Sequence, residues 1–507
     1  MGASMIGTTA VGIIIAEAEA RRFLTGPILC CEAGNHSKRS SSLSRVKLSE
    51  RVLALVMFGA ALCVVSALHG QPLHAQNGQA LDDLTQLLAE HEDVGDFREA
   101  IAQGISDNPL IAQRRANAAE AQAAKREARS AIFPTIDLAV SANRAIAREF
   151  SNDPDNVIER SRGLGRADIS GIVNQTLYDF GAAGRRIAAA SARIEASHAD
   201  VDAAYDEVAL RAIGAWIDVA AYARLTALAD NHLAAQNAYS TMLESRIDQG
   251  VSAPADHARL DAAIAISGQR AARFKQELGN AEARYREIFG AEASLPSRRP
   301  PIFELTDADI EEIIMASQNT APVRSARAQA RGAQEDARAA RSDTLPNVGL
   351  GLDAGRYGIF ELGRTDYDVR ARVTLRYRFF GPGEARADQA AARASAALSR
   401  SDAIFREAER EARIAVSDVT ALTKGSEAYD AEYRASKITR DAEVARFRIA
   451  RGTMFDVLAA EDRYFSSAVS YLRLASELDA ARYVILARVG ILISELGIKP
   501  SYIRRAR

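Results

Sequence analysis

The spacing of residues 181–256 recurs at a fixed offset of 200 residues, and that recurrence restricts the fold more than any single motif. Gly181 opens a run without proline that lasts to Pro254, and Gly381 opens its counterpart, free of proline from Gly383 to Lys499. Ala212, Ala215, Asp218 and Val219 overlay Ala412, Ala415, Asp418 and Val419, and Arg246 overlays Arg446. Asp256 lands on Asp456, whereas Asp261 meets Glu461, a match in charge only. One offset held over such a length predicts two copies of one unit with no net insertion between them.

Each copy is expected to contain one very long helix. Ile187, Ile194, Val201 and Val208 fall seven apart, and Tyr205, Ala212, Val219 and Leu233 fill a second seam. Leu398, Phe405, Ala412 and Val419 hold that seam in the other copy. A seven-residue repeat gives left-handed supercoiling of helices. Seventy residues at helical rise span roughly 105 Å, longer than an ordinary globular core requires.

Residues 1–75 read as a segment separate from the fold. Lys47 and Arg51 precede an apolar run at 52–68, and Leu73-His74-Ala75 offers a cleavage site before Gln76. This is the pattern of a secretory signal. The alternative is a membrane anchor, for which about 17 apolar residues is the short limit. Cys30, Cys31 and Cys63 all lie in this part, so a chain starting at Gln76 is expected to have no disulfide or thiolate chemistry.

From Gln76 onward, residues 80–105 read as short amphipathic helices. Asn108-Pro109 starts a helix that stops before Pro134, and Asn319 with Pro322 repeats the start as Pro346 repeats the stop. The period then changes from helical to two. Ile136, Leu138, Val140 and Ala142 share a face, and Ile169, Gly171, Val173 and Leu177 alternate with polar residues. Between them lies a polar loop with Asp153, Pro154, Asp155 and Gly163. In the second copy Val348, Leu350 and Leu352 form one strand face, and Val369, Ala371, Val373, Leu375 and Tyr377 alternate with Arg370, Arg372, Thr374 and Arg376. Each copy is therefore expected to carry a β-hairpin. An apolar strand face backed by a basic one fits either a soluble sandwich strand or a membrane barrel strand with a wet lumen.

The expected divisions are an N-terminal extension and signal at 1–75, a first repeat at 76–290, a linker at 291–321, and a second repeat with a C-terminal tail at 322–507. The first repeat holds strands at about 135–148 and 167–179 and helices at 182–249 and 255–289. The second holds strands at about 347–357 and 366–380 and helices at 384–450 and 456–489. Placed end to end, helices of 24 and 35 residues reach about 88 Å, close to the length of one long helix. The fold class is thus mainly α: long antiparallel coiled-coil helices plus two β-hairpins.

This order of features resembles the TolC family of bacterial outer-membrane efflux proteins over residues 96–496. The resemblance is carried by Asn108-Pro109, the stretch 130–134, Tyr178-Asp179-Phe180-Gly181, the Gly250 break with Asp256, and their partners in the second copy. It implies a homotrimer whose twelve strands close a barrel in outer-membrane lipid and whose helices form a periplasmic α-barrel tunnel. It also implies a periplasmic adaptor and an inner-membrane transporter as partners, in a tripartite efflux or type I secretion system. Asp456 matches the first aspartate of the family's constricting ring, while Ala459 replaces the second. Phe447 and Gly452 replace a tyrosine and an arginine that close the entrance in the best-known member, and Ala255 replaces a threonine. Asp256, Arg451 and Glu461 are the other entrance candidates, and N-capping is the structural alternative for Asp456. Gly250, Val251, Ser252 and Gly452 match the tip that meets the adaptor, and Val369, Ala371, Val373, Leu375 and Tyr377 would face lipid.

Other chemistry is sparse. His91, His198, His232 and His257 are scattered beyond Gln76 without metal spacing, and no glycine-rich phosphate loop is present. A net charge of −2, with 26% charged residues, gives no basic surface for nucleic acid. No enzyme activity, cofactor or metal is expected. The competing reading is a periplasmic helical coiled-coil scaffold with the hairpins as soluble caps.

Overall fold

A computed structural model describes residues 84–147, 149, 165–303, 310–360 and 366–502, all within the unit that begins at Pro72. The expected signal segment and the loop with Asp153, Pro154, Asp155 and Gly163 lie outside these residues. The described chain is mainly helical with one small antiparallel sheet. In order it forms α1 (Leu84–Ala89), α2 (Val94–Ser106), α3 (Pro109–Ser130), β1 (Thr135–Arg144), β2 (Gly165–Tyr178), α4 (Ala182–Asp248) and α5 (Ala255–Phe289). Then follow α6 (Ile310–Ser317), α7 (Ala321–Ser342), β3 (Asn347–Tyr357), β4 (Asp366–Arg376), α8 (Gly383–Arg448), α9 (Met454–Val489) and α10 (Leu492–Glu495).

Local signals set the helix ends. Asn108 caps α3 by accepting from the Leu110 amide at 3.0 Å, and Pro109 takes the first turn, where its missing N–H costs nothing. The start of α7 differs from expectation: the cap is Thr320 rather than Asn319, and the Thr320 hydroxyl turns back to Ser317 O at 3.1 Å. Asp179 starts α4 by accepting from Gly181 N at 3.0 Å and Ala183 N at 2.7 Å. That turn holds Phe180 and Gly181 both at positive φ, 54° and 84°.

At 67 and 66 residues, α4 and α8 are each about 100 Å long. Near the sheet, α3, α4, α7 and α8 lie side by side in that order. Farther along, α5 runs beside α4 and α9 beside α8, and α9 also packs on α4. Shorter helices thus follow one another along each long one. The seam of α4 is buried at Val201, Tyr205, Val208, Ala212 and Val219. On α8 only Ala412 of the expected seam is buried, and Leu398 is exposed. The reason is position: α8 closes the layer and has neighbours, α6, α7 and α9, along only part of its circumference. Among the described residues α4 alone is long and apolar enough to cross a membrane, but most of that stretch is buried among its neighbours.

Midway along the helices, Phe97 of α2, Trp216 of α4 and Tyr483 of α9 form an aromatic core, with Phe97 edge-on to Trp216 at 5.2 Å. The linker after α5 is strapped over it. Trp216 Nε1 donates to Arg298 O at 3.1 Å, and the Tyr483 hydroxyl donates to Pro301 O at 2.7 Å. Arg299 grips Asp479 with two bonds of 2.8 and 2.7 Å, its side chain 12% exposed and that of Asp479 3%. The amide of Glu92 donates to Arg299 O, so the segment before α2 is held to the same strap.

The expected hairpins are joined. β2 pairs with β3, giving a single four-stranded meander in the order β1-β2-β3-β4. A register shift between Thr176 and Tyr178 sets Tyr178, not Leu177, opposite Val348. Strand β4 ends at Arg376, so Tyr377 stands just beyond it.

Candidate membrane-facing sheet and helix-turn tip

Directly opposed residues in antiparallel strands point to the same face. Ile136, Val173, Leu352 and Ala371 make one row across all four strands, and Leu138, Gly171, Ala354 and Val369 make the next. Val348 with Leu375, and Leu350 with Val373, extend this apolar face toward the helices. It is uncovered: Leu138, Val373 and Leu375 are 74%, 68% and 69% exposed. The opposite face carries rows such as Asp137, Ile172, Asp353 and Arg370. There Arg372 reaches Asp353 at 3.2 Å, and Arg370 pairs with Asp368. Aromatic pairs stand at the helix end of the sheet, Tyr377 with Phe379 at 4.6 Å and Tyr178 with Phe180 at 4.8 Å. Strands β1 and β4 are open edges. An exposed apolar sheet with two unpaired edges is unstable as a soluble cap, whereas closure against further strands in lipid satisfies both faces and both edges.

At the other end of the helices, α4 and α8 stop with the same hydrogen-bond pattern. Val251 N donates to Arg246 O at 2.9 Å and Gly250 N to Ile247 O at 2.9 Å, with Gly250 in the left-handed region at φ 71°. Arg451 N donates to Arg446 O at 2.9 Å and Ala450 N to Phe447 O at 3.1 Å. Here the left-handed residue is Ala450, at φ 62°, not Gly452. Gly452 serves close approach instead, since a Cβ there would come within 3.3 Å of Phe447 N.

The tip is tied together by Arg246, which the sequence reading did not single out as functional. Its Nε donates to Ser252 Oγ at 3.1 Å, Nη1 to Phe447 O at 2.5 Å and Nη2 to Gly452 O at 3.3 Å, while the guanidinium sits 4.1 Å above the Phe447 ring. Ser252 and Gly452 are thereby joined across the two turns, and Val251 and Arg451 are left exposed. The available signal was an arginine in the last turn before each break, at 246 and 446. Only the first crosses over; Arg446 pairs with Glu443 on its own helix at 2.8 Å.

Asp456 is not the N-cap of α9. Thr453 is, and Asp456 closes a capping box as its third residue. The Thr453 hydroxyl donates to Asp456 Oδ2 at 2.6 Å, the Thr453 amide does so at 3.3 Å, and these bonds hold the carboxyl below the usual aspartate range. Asp256 lies in the first turn of α5 and pairs with Arg259 at 3.0 Å. Beside it, His257 bonds Asp261 at 3.0 Å, which raises the imidazole above its ordinary value. Glu461 is turned inward instead of lining an entrance. It is 3% exposed, accepts the Tyr239 hydroxyl at 2.7 Å and faces His232 at 3.5 Å. Burial, with the Glu461 charge next to it, pushes the Tyr239 phenol well above its usual value. No cluster of metal-ligating side chains is found among the described residues.

Residues 100–291 match the family model for outer membrane efflux protein. The stretch matched, from within α2 to just past α5, is similar to outer membrane efflux proteins. The fold of solved outer-membrane channels is matched over most of the chain. Similar solved structures include the outer-membrane channel OprN, at 20% identity over 79% of this chain and 93% of that one, with a TM-score of 0.70. VceC from Vibrio cholerae is 17% identical over 78% of this chain and 96% of its own, with a TM-score of 0.68. The CmeC channel of Campylobacter jejuni is 15% identical over 78% and 86%, also with a TM-score of 0.68. No curated protein sequence matches the chain. The partial family match and the shared fold are both those of outer-membrane channels.

Proposed function

We propose that three copies of this protein assemble into a channel-tunnel that carries solutes from the periplasm, or from an inner-membrane transporter, to the outside. The observation that carries this reading is the four-stranded sheet, with one continuous apolar face exposed and both edges unpaired. Four strands cannot close alone, because the smallest membrane barrels have eight. Three copies give a twelve-stranded barrel with Val369, Ala371, Val373 and Leu375 on lipid and Tyr377 at the aromatic belt. The open flank of α8, with Leu398 and Ile438 exposed, supports lateral association of the helices as well. A periplasmic scaffold gives no reason for an apolar face on one side of the sheet and an arginine-bearing face on the other.

In this reading the two repeats place their helix turns at the periplasmic entrance. Gly250, Val251, Ser252 and Gly452 form the surface for a periplasmic adaptor of a tripartite efflux or type I secretion system. Asp456 from three protomers converges on the bore, where like charges favour cations. Asp256 and Arg451, at the same helix turns, are the further entrance candidates, and Glu461 acts within the protomer. The test is reconstitution of the purified protein in planar bilayers, with cross-linking to count subunits. Single-channel steps from a cross-linked trimer support the reading, and a monomer without conductance refutes it. Replacing Asp456 by serine keeps a capping oxygen but removes the charge, and is expected to lower cation selectivity. Unchanged selectivity would leave Asp456 as a capping residue only.

A further inference from the structure

The polar face of the sheet is divided by charge along the strands. Toward the helices, one row holds Asn174, Gly351 and Arg372, the next Gly349 and Thr374, and the last Asn347 and Arg376. These rows hold two arginines and no acid. At the far end acids predominate: Asp368 lies opposite Gly355, Asp366 opposite Tyr357, and Asp168 in that same row, with Arg166 on the same face paired to Asp168 at 2.6 Å. The divide falls at the row of Asp353 and Arg370.

Within the acid-free half the arginines are not equivalent. Arg372 spans toward Asp353 at 3.2 Å with its guanidinium lying against Gly351, where a Cβ would stand 3.7 Å from Nη2. Arg376 has no acidic partner among the described residues. A hollow of about 520 Å3 lies over these rows, lined by Asn174, Thr176, Asn347, Arg372, Thr374 and Arg376. Amide, hydroxyl and guanidinium groups around a floor of glycine form a donor-rich surface, on which Asp353 engages Arg372 and no carboxylate among the described residues engages Arg376. A guanidinium binds carboxylate and phosphate oxygens with two parallel bonds, and does so best where no local acid neutralises it.

We propose that this half of the polar face, built on Arg372 and Arg376, is an anion-binding band in the export path that holds carboxylate or phosphate groups of passing solutes. The inference rests on the channel reading above and adds a second selective element, opposite in sign to Asp456. A solute leaving the tunnel meets a basic band first and an acidic one after it. An anionic group held at the band is then repelled from the acidic rows, while a cationic group is favoured there. The band therefore discriminates by charge distribution along the solute rather than by net charge alone.

The test uses the full-length protein in planar bilayers, with inorganic pyrophosphate as the probe. Pyrophosphate is expected to reduce the parent current. Arg372→Gln with Arg376→Gln is expected to weaken that block at least about fivefold and to raise the potassium-over-chloride permeability ratio at least about twofold. Arg376→Gln alone breaks no ion pair and is expected to give a smaller change of the same sign. Replacing both arginines by lysine retains the positive charge and should preserve most of the block. Asp366→Asn with Asp368→Asn, in the acidic half, should leave the block in place. Conducting pores that pyrophosphate does not block, or blocks equally with and without the two arginines, overturn the band while the channel reading stands. Absence of any conductance overturns the channel reading and the band with it.

Discussion

Asp206 offers a test of the helical bundle that is independent of any channel measurement. It lies on α4 one turn beyond Asp202, whose carboxylate accepts the Tyr502 hydroxyl at 2.9 Å and pairs with Arg324 at 2.9 Å. Arg324, the cation acting on Asp206 among the described residues, is thus engaged by the neighbour. Burial, reinforced by the Asp202 charge and only partly offset by Arg324, pushes the Asp206 carboxyl up to about 7 from 3.8. The sign follows from proton binding. Between pH 3.8 and 7 the folded protein holds more protons at this site than the unfolded chain, so stability falls as pH rises through that window and is level above it. At 1.36 kcal/mol per unit, the full window corresponds to about 4 kcal/mol. Asp206→Asn keeps the shape and removes the charge. It should raise the unfolding free energy by up to about 4 kcal/mol at pH 8, by about 2 kcal/mol at pH 5, and by almost nothing below pH 4. Urea unfolding in detergent, followed by helical circular dichroism at these pH values, measures the differences. A gain independent of pH, or no gain at pH 8, would refute the argument.

Replacing Arg299 by methionine leaves Asp479 buried without its partner and should cost about 3–5 kcal/mol in urea unfolding, whereas Arg299→Met with Asp479→Leu should return most of the loss. Ala450→Gly relieves a left-handed alanine and should stabilise by about 1 kcal/mol, and Gly250→Ala should cost a similar amount, both read from unfolding midpoints. Val373→Arg should impair assembly by about 2–4 kcal/mol at mid-membrane depth, while Thr374→Arg on the polar face is tolerated, as judged by the yield of cross-linked oligomer in detergent extracts.

The features visible in the sequence were those written in local chemistry. Seven-residue spacing marks α4, proline marks the ends of α3 and α7, and alternation from Val369 to Leu375 marks β4. What was not legible depends on partners distant in sequence. Pairing of β2 with β3 brings Asp168 opposite Tyr357, and nothing in either hairpin announces it. The match of Glu461 to Asp261 made it an entrance candidate, but Tyr239 and His232, on another helix, make it an internal group. Arg246 and Arg446 look equivalent in the alignment of the two copies, yet only Arg246 meets the facing turn. Leu398 reads as a seam residue because the sequence records an apolar face without recording whether its cover lies in the same chain.

The most direct test of the central claim is the environment of two adjacent residues on β4. Nitroxide labels are placed singly at 373 and 374, with Cys30, Cys31 and Cys63 replaced by serine, and the protein is reconstituted in lipid vesicles. Collision with oxygen, which partitions into lipid, and with a water-soluble nickel chelate is then measured by electron paramagnetic resonance. The apolar face predicts that the label at 373 favours oxygen and the label at 374 favours the chelate. Equal, water-like accessibility at both positions would contradict a membrane-embedded sheet.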